Sequence, residues 1–186
     1  MSDLLKSAIE NHLRVVEALH HLTPELLEVA RAMQDCLGRG GKIVWMGNGG
    51  SAADCQHLAA EFVGRFARER SALPALALTT DTSILTAVGN DYGFESIFSR
   101  QIQALCGQGD MVVGISTSGN STNVLKGFQA ARDLGMGSVG LTGLGGGQMS
   151  ALCDHLIAVP STHTPRIQEA HILIGHILCE LIEQAV

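Results

Sequence analysis

The chain has 186 residues, of which 46% are apolar, enough for one substantial core but short for several independent ones. Only 16% are charged, the formal net charge is −6, and no Lys/Arg run stands out. That excludes a nucleic-acid partner, which needs a basic footprint, and so little charge leaves surface to be buried between subunits. No apolar run reaches the ~18 residues of a membrane span. Met1-Ser2-Asp3-Leu4-Leu5-Lys6 lacks the features of a signal peptide, so the expected location is the cytoplasm. Cys36, Cys55, Cys106, Cys153 and Cys179 are scattered among apolar neighbours with no C-x-x-C, and read as reduced core thiols.

In chain order, residues 2–20 place Leu4, Leu5, Ala8, Ile9, Leu13, Val16 and Leu19 at helical spacing. A second helix opens at Thr23-Pro24 and stops at Gly38-Arg39-Gly40-Gly41. From Lys42 onward strands and helices alternate. Lys42–Met46 reads as a buried strand, Gly47–Ser51 as a glycine turn and residues 51–63 as a helix, with Ser51 and Asp54 spaced as a capping box. Leu73–Thr79 is the next strand. Asp81 caps a short helix over Thr82–Val88, and Gly89–Gly93 is a turn. Glu95–Leu105 is helical, Met111–Ile115 a strand, Ser116–Ser121 a polar loop and Thr122–Leu134 a helix. Ser138–Thr142 and His155–Val159 are strands around the glycine-rich Gly143–Gln148, and Thr164-Pro165 opens a last helix running almost to Val186. Continuous apolar strands such as Met111–Ile115 fit a parallel sheet buried on both faces. The expected fold is α/β: a doubly wound, five-stranded parallel sheet flanked by helices, with two extra N-terminal helices. It forms one domain, with N-terminal helices over about 2–38 and the core over about 42–186.

Ligands of such a sheet bind beyond the carboxyl ends of its strands. Gly47-Asn48-Gly49-Gly50-Ser51 is neither G-x-G-x-x-G nor a P-loop, and on spacing alone is either a tight turn or an anion cradle. Ser116-Thr117-Ser118-Gly119-Asn120-Ser121 offers four hydroxyls at a helix start, which suits a phosphate. Asn90-Asp91 is ordinary turn chemistry unless it faces the same crevice. With only seven aromatic residues there is little to stack a base on, so a phosphorylated polyol fits better than a heterocycle. His57 and Glu61 share a helix face away from the stripe Cys55, Leu58, Ala59 and Phe62, as a solvent-facing pair or as metal ligands. On the last helix Glu169, His176, Glu180 and Glu183 fall on the polar side, and spacing pairs His176 with Glu180. His12, His20, His21, His155 and His163 have no partner in sequence.

The segments Gly47–Asp54, Gln56-His57 with Glu61, Gly64-Arg65-Phe66, Asn90-Asp91-Tyr92, Ser116–Ser121 and Arg166-Ile167-Gln168-Glu169 resemble those of the bacterial phosphoheptose isomerase family, within the sugar-isomerase (SIS) domain superfamily. The resemblance covers nearly the whole chain. It implies a cytoplasmic homotetramer, with active sites at subunit interfaces, that isomerises sedoheptulose 7-phosphate to D-glycero-D-manno-heptose 7-phosphate. That reaction starts the route to the nucleotide-activated heptose of lipopolysaccharide core. It further implies one Zn2+ per subunit on His57, Glu61, Gln168 and His176. Implied substrate contacts are Asn48, Gly49, Gly50, Ser51, Glu61, Arg65, Asn90, Asp91, Ser116, Thr117, Ser118, Ser121 and Gln168, with Arg65 serving the phosphate from a neighbouring subunit. Glu61 would be the base and His176 the acid. The competing expectation is a non-catalytic SIS paralogue that binds a replication initiator. A sugar-phosphate-sensing regulator is disfavoured because no helix-turn-helix is attached.

Overall fold

In the computed structural model, which describes residues 1–185, the two leading helices are α1 (Ser2–Ala18) and α2 (Thr23–Gly38), joined by a 3-10 turn at Leu19–Leu22. Pro24 sits in the first turn of α2, where its missing N–H would have had no intrahelical partner. The core continues as β1 (Ile43–Gly47), α3 (Gly50–Val63), β2 (Ala75–Ala77), α4 (Thr82–Tyr92), α5 (Ile97–Leu105), β3 (Met111–Ser116), α6 (Thr122–Asp133), β4 (Gly137–Thr142), β5 (His155–Ala158) and α7 (Thr164–Glu183). Val186, the end of the expected last helix, lies outside the described residues.

The sheet order is β2-β1-β3-β4-β5 and every pairing is parallel, as the continuous apolar runs require. All residues of β1 and β3 are buried. One face is covered by α2, α3 and α7, with α1 outside them, and centres on Trp45, Leu58, Phe62, Ile115 and Leu178. The other is covered by α5 and α6 and centres on Met46, Phe98, Ile102 and Phe128. The chain reverses its winding between β1 and β3, and in this strand order the crevice above that switch point is where ligands bind.

Three expectations are corrected. Ser51 and Asp54 do not form a capping box: the N-cap is Gly49 at φ 56° and ψ −121°, so Ser51 is already inside the first turn and buried. Residues 89–92 are not a turn but the last turn of α4, which stops at Gly93 with φ 86°. Glu183 is not on a polar face but 3% exposed. Asp81, by contrast, caps α4 as its position dictates, with Oδ1 accepting the Ile84 N–H at 2.9 Å.

Candidate active site

The crevice is built from two loops tied together by amides. Asn48 follows β1, and Asn123 opens the first turn of α6 behind β3. Their carboxamides donate to each other in both directions at 2.8 Å, and Asn123 Oδ1 also accepts the Val124 N–H at 3.0 Å. Asn123 is 3% exposed, so its polar atoms depend on this pairing. It was invisible as a site residue in the sequence; the only signal was an amide one step inside a helix that follows a hydroxyl-rich loop. Asn123→Ala leaves Asn48 without its partner, which costs ~1–3 kcal/mol and should lower kcat/KM about tenfold in steady-state assays. An unchanged kcat/KM would show that Asn48 needs no anchor.

The hydroxyl loop is folded as an anion site would be. Ser116 Oγ stands 2.9 Å from Ser121 Oγ and 3.5 Å from Ser118 Oγ, and Ser121 is the N-cap residue of α6 without using its hydroxyl as a cap. Three hydroxyls therefore converge at the amino end of a 12-residue helix, where backbone N–H groups and the helix dipole favour an anion. The glycine-rich loop after β4 backs this turn. Gly143 N donates to Thr117 O at 3.1 Å, Met149 N to Gly119 O at 3.1 Å and Gln148 N to Asn120 Oδ1 at 3.0 Å. Asn120 thus faces its own scaffold. A recess of about 470 Å³ opens beside the loop between Asn48, Ser121 and Lys126, with Phe94 and Glu95 opposite. Lys126 pairs with Glu95 at 3.5 Å on its rim, a cation that the sequence did not single out.

Asn90 and Asp91 line neither this recess nor the smaller one beneath Asn48. They sit exposed at the end of α4, with Asn90 Nδ2 donating to Asp91 Oδ1 at 2.8 Å. Arg65 lies just past the end of α3, roughly 20 Å along the axis from Gly50 at 1.5 Å per residue. Its Nε is 3.8 Å from Glu69, and it does not line the recess beside the hydroxyl loop.

The other half of the site lies between α3 and α7, on the opposite face of the sheet from α6. The two helices approach so closely that a Cβ on Gly175 would stand 2.6 Å from Leu58 side-chain carbons. That approach brings His57 Nε2 to 2.9 Å from His176 Nε2, the rings meeting edge to face with centroids 5.2 Å apart. Glu61 Oε1 is 3.4 Å from the same His57 nitrogen. The sequence pairing of His176 with Glu180 is not what forms: the contact is across helices, 119 residues apart in the chain. Gln168 lies two turns earlier, its carboxamide against Gly50, where a Cβ would meet Nε2 at 2.6 Å. Gln168 is thus beside the Gly49-Gly50 turn and apart from the histidines. Asp54 lies near both rings; burial pushes its carboxyl above the usual range, and the charges of His57 and His176 pull it partly back. His171, fully buried, bonds Thr142 O through Nε2 at 3.1 Å, and burial lowers its pKa to about 4, so it stays neutral and ties α7 to the end of β4.

Among the described residues no three His, Cys, Asp or Glu side chains surround one point as a finished cation cage. His176 Nε2 and Glu61 Oε1 nevertheless stand 2.9 Å and 3.4 Å from His57 Nε2. Zinc bonds of ~2.0–2.1 Å give tetrahedral edges of roughly 3.3 Å, so this donor set fits Zn2+ in chemistry and nearly in spacing. Burial raises all five cysteine thiols, which are structural: Cys106 is pushed up to about 11 and Cys179 to about 12.

A five-stranded parallel sheet with a hydroxyl loop at its switch point is the arrangement of a sugar-phosphate-binding α/β domain, and residues 8–143 match the SIS domain family. The relatives are closer still. A phosphoheptose isomerase of Aneurinibacillus thermoaerophilus is 54% identical, over 100% of this chain and 96% of its own length. Phosphoheptose isomerase 1 of Campylobacter jejuni is 51% identical over 100% of both. The solved phosphoheptose isomerase GmhA of Neisseria gonorrhoeae superposes with a TM-score of 0.94 at 44% identity, over 98% of each chain. The chain belongs to the phosphoheptose isomerase family.

Proposed function

We propose that the chain interconverts D-sedoheptulose 7-phosphate and D-glycero-D-manno-heptose 7-phosphate, the first step towards nucleotide-activated heptose. The observation that carries this reading is the pairing of a three-hydroxyl anion loop with a Glu61–His57–His176 cluster in one chain of this family. Ketose-to-aldose conversion moves a proton between C1 and C2 through an enediol. It needs an anchor remote from the reacting carbons and a base and an acid beside them. Ser116, Ser118 and Ser121 hold the phosphate, with Thr117 on the same loop. Asn48, Gly49, Gly50, Ser51 and Gln168 meet the hydroxyls of the open chain; Asn90 and Asp91, which the family resemblance also assigns to the substrate, stand exposed outside the recess at the end of α4. Glu61 takes a proton from C1 and returns one to C2, while His176 gives a proton to the C2 oxygen and recovers one from the C1 hydroxyl.

Zinc would be held by His57, Glu61 and His176, with Gln168 swinging in from Gly50, and when bound it supplies polarisation of the substrate carbonyl. A ligating carboxylate is a weaker base, so the residues share Glu61 between two tasks. The active form is a homotetramer in the cytoplasm, and Arg65 reaches a phosphate in a neighbouring copy. Support comes from α1, which buries none of its residues and exposes Leu4, Leu5, Ile9 and Leu13 by 52–76%. Light scattering should read four times the 19.6 kDa chain mass; a monomer at micromolar concentration would rule this out. No helix among the described residues is long and apolar enough to cross a membrane.

The test is turnover of sedoheptulose 7-phosphate by the purified chain with one equivalent of zinc, read by trapping the new aldehyde. Chelation should abolish it and added zinc restore it. A folded, zinc-loaded chain that makes no aldose would favour the initiator-binding reading instead.

A further inference from the structure

Just beyond the histidines lies a second polar cluster that none of this chemistry uses. Arg70 and Glu183 are sealed from water, with side-chain exposures of 8% and 2%. Glu183 is the last residue of α7, and its carboxylate accepts three consecutive N–H groups, Phe66 at 2.9 Å and Ala67 and Arg68 at 2.8 Å. Burial alone would raise that carboxyl; the three N–H groups and Arg70 outweigh it and hold it below the usual range. The Arg70 guanidinium donates to Glu61 O at 2.7 Å, Phe62 O at 2.8 Å, Ser71 O at 3.0 Å and Gly64 O at 3.2 Å, while its Nε stands 3.3 Å from Glu183 Oε1.

Both halves of this pair touch the backbone of the candidate acid–base residues or their neighbours. The last carbonyls of a helix have no partner inside it. Those of Glu61 and Phe62 are among them for α3, and Arg70 ties both down, fixing the turn that carries the Glu61 side chain. Glu183 grips residues 66–68 and so places the Phe66 ring, whose centroid is 5.4 Å from that of His176 at a tilt of 32°. His176 and Glu183 are seven apart on α7, two turns along one face. A buried ion pair is a poor stabiliser compared with an apolar pair of the same volume, because desolvation offsets its attraction. Its directional bonds supply what an apolar pair would not, a fixed geometry.

We propose that Arg70 and Glu183 form a positioning clasp that fixes Glu61 and, through Phe66, His176 relative to one another. Neither residue touches substrate, and the role in turnover rests on the isomerase reading of Glu61 and His176. The experiment uses full-length Arg70→Lys, Glu183→Gln and Phe66→Leu chains. It reads kcat and KM for sedoheptulose 7-phosphate, and the ring-proton resonance of His176 in the zinc-free protein, assigned with His176→Gln. Each folded variant should lose kcat about tenfold or more with KM within about twofold, the signature of misplacement rather than lost binding. In Arg70→Lys and Glu183→Gln the His176 resonance should move as the Phe66 ring is displaced, and Phe66→Leu, which removes the ring, gives the reference position. A kcat unchanged in all three overturns the proposal, and so does a lower kcat with His176 unmoved, which marks general loosening. Should the two clasp variants fail to fold, Phe66→Leu decides by kcat alone, since it leaves Arg70 and Glu183 intact: a loss of about tenfold supports the proposal and an unchanged kcat overturns it. If the wild-type chain turns over no heptose phosphate, the isomerase reading has failed, and the resonance arm still judges the clasp: an unmoved His176 overturns it.

Discussion

Glu61→Gln and His176→Gln should each lower kcat for sedoheptulose 7-phosphate by about 10²–10⁴-fold, the usual size of one lost acid or base, with KM little changed. The geometry gives the reason. Glu61 Oε1 and His176 Nε2 stand 3.4 Å and 2.9 Å from the same His57 nitrogen, so the two flank one point from different helices. Glutamine keeps the shape of glutamate but cannot take a proton, and in place of His176 it removes the imidazole that exchanges one. Both residues are also candidate ligands, so bound zinc must be measured alongside. Loss of kcat with zinc retained supports the acid–base roles. Near wild-type turnover with zinc retained in both variants would show that proton transfer is done elsewhere.

Gly119→Ala should raise KM for the phosphorylated sugar roughly a hundredfold while leaving the fold intact. Gly119 has φ +65°, and a Cβ there would lie 2.1 Å from Gly146 O, a backbone atom that cannot swing aside. The loop must shift, and Ser116, Ser118 and Ser121 would no longer converge. Hydrogen bonds to a charged group contribute ~1.5–3 kcal/mol each, so losing one or two accounts for that factor. The control is sedoheptulose without its phosphate: its weak binding should not change. An equal loss for both sugars would place the phosphate away from the 116–121 loop.

The parts of the site legible in the sequence are those fixed by local chemistry. The hydroxyl run after β3 converges at the start of α6 because the parallel sheet leaves little choice about where that strand end points. His57 and Glu61 face away from Cys55, Leu58 and Phe62 because 3.6-residue periodicity and burial of the stripe demand it. What was not legible depends on approach between distant segments. Nothing near Gly175 in the chain announces that Leu58 will lie against it, yet that contact brings His176 to His57. Glu183 looked like a surface residue because periodicity cannot see the 66–68 loop folding back to donate to it. The capping-box spacing of Ser51 and Asp54 misled for a similar reason: Gly49 can take φ 56°, so the turn tightens and the helix starts earlier. Gln168 joins the histidines only through family resemblance; its side chain rests on Gly50, two turns away.

The central claim is proton transfer between adjacent carbons of a sugar phosphate. Its most direct measurement is an NMR time course of sedoheptulose 7-phosphate with the zinc-loaded chain in deuterated water. The expected result is an aldose 7-phosphate that gathers deuterium at C2, because the proton passes through a carboxylate that exchanges with solvent while the enediol waits. Aldose still free of deuterium after many passes of the equilibrium would replace proton transfer by a direct hydride shift, and no aldose from a folded, zinc-loaded chain would contradict the isomerase reading itself.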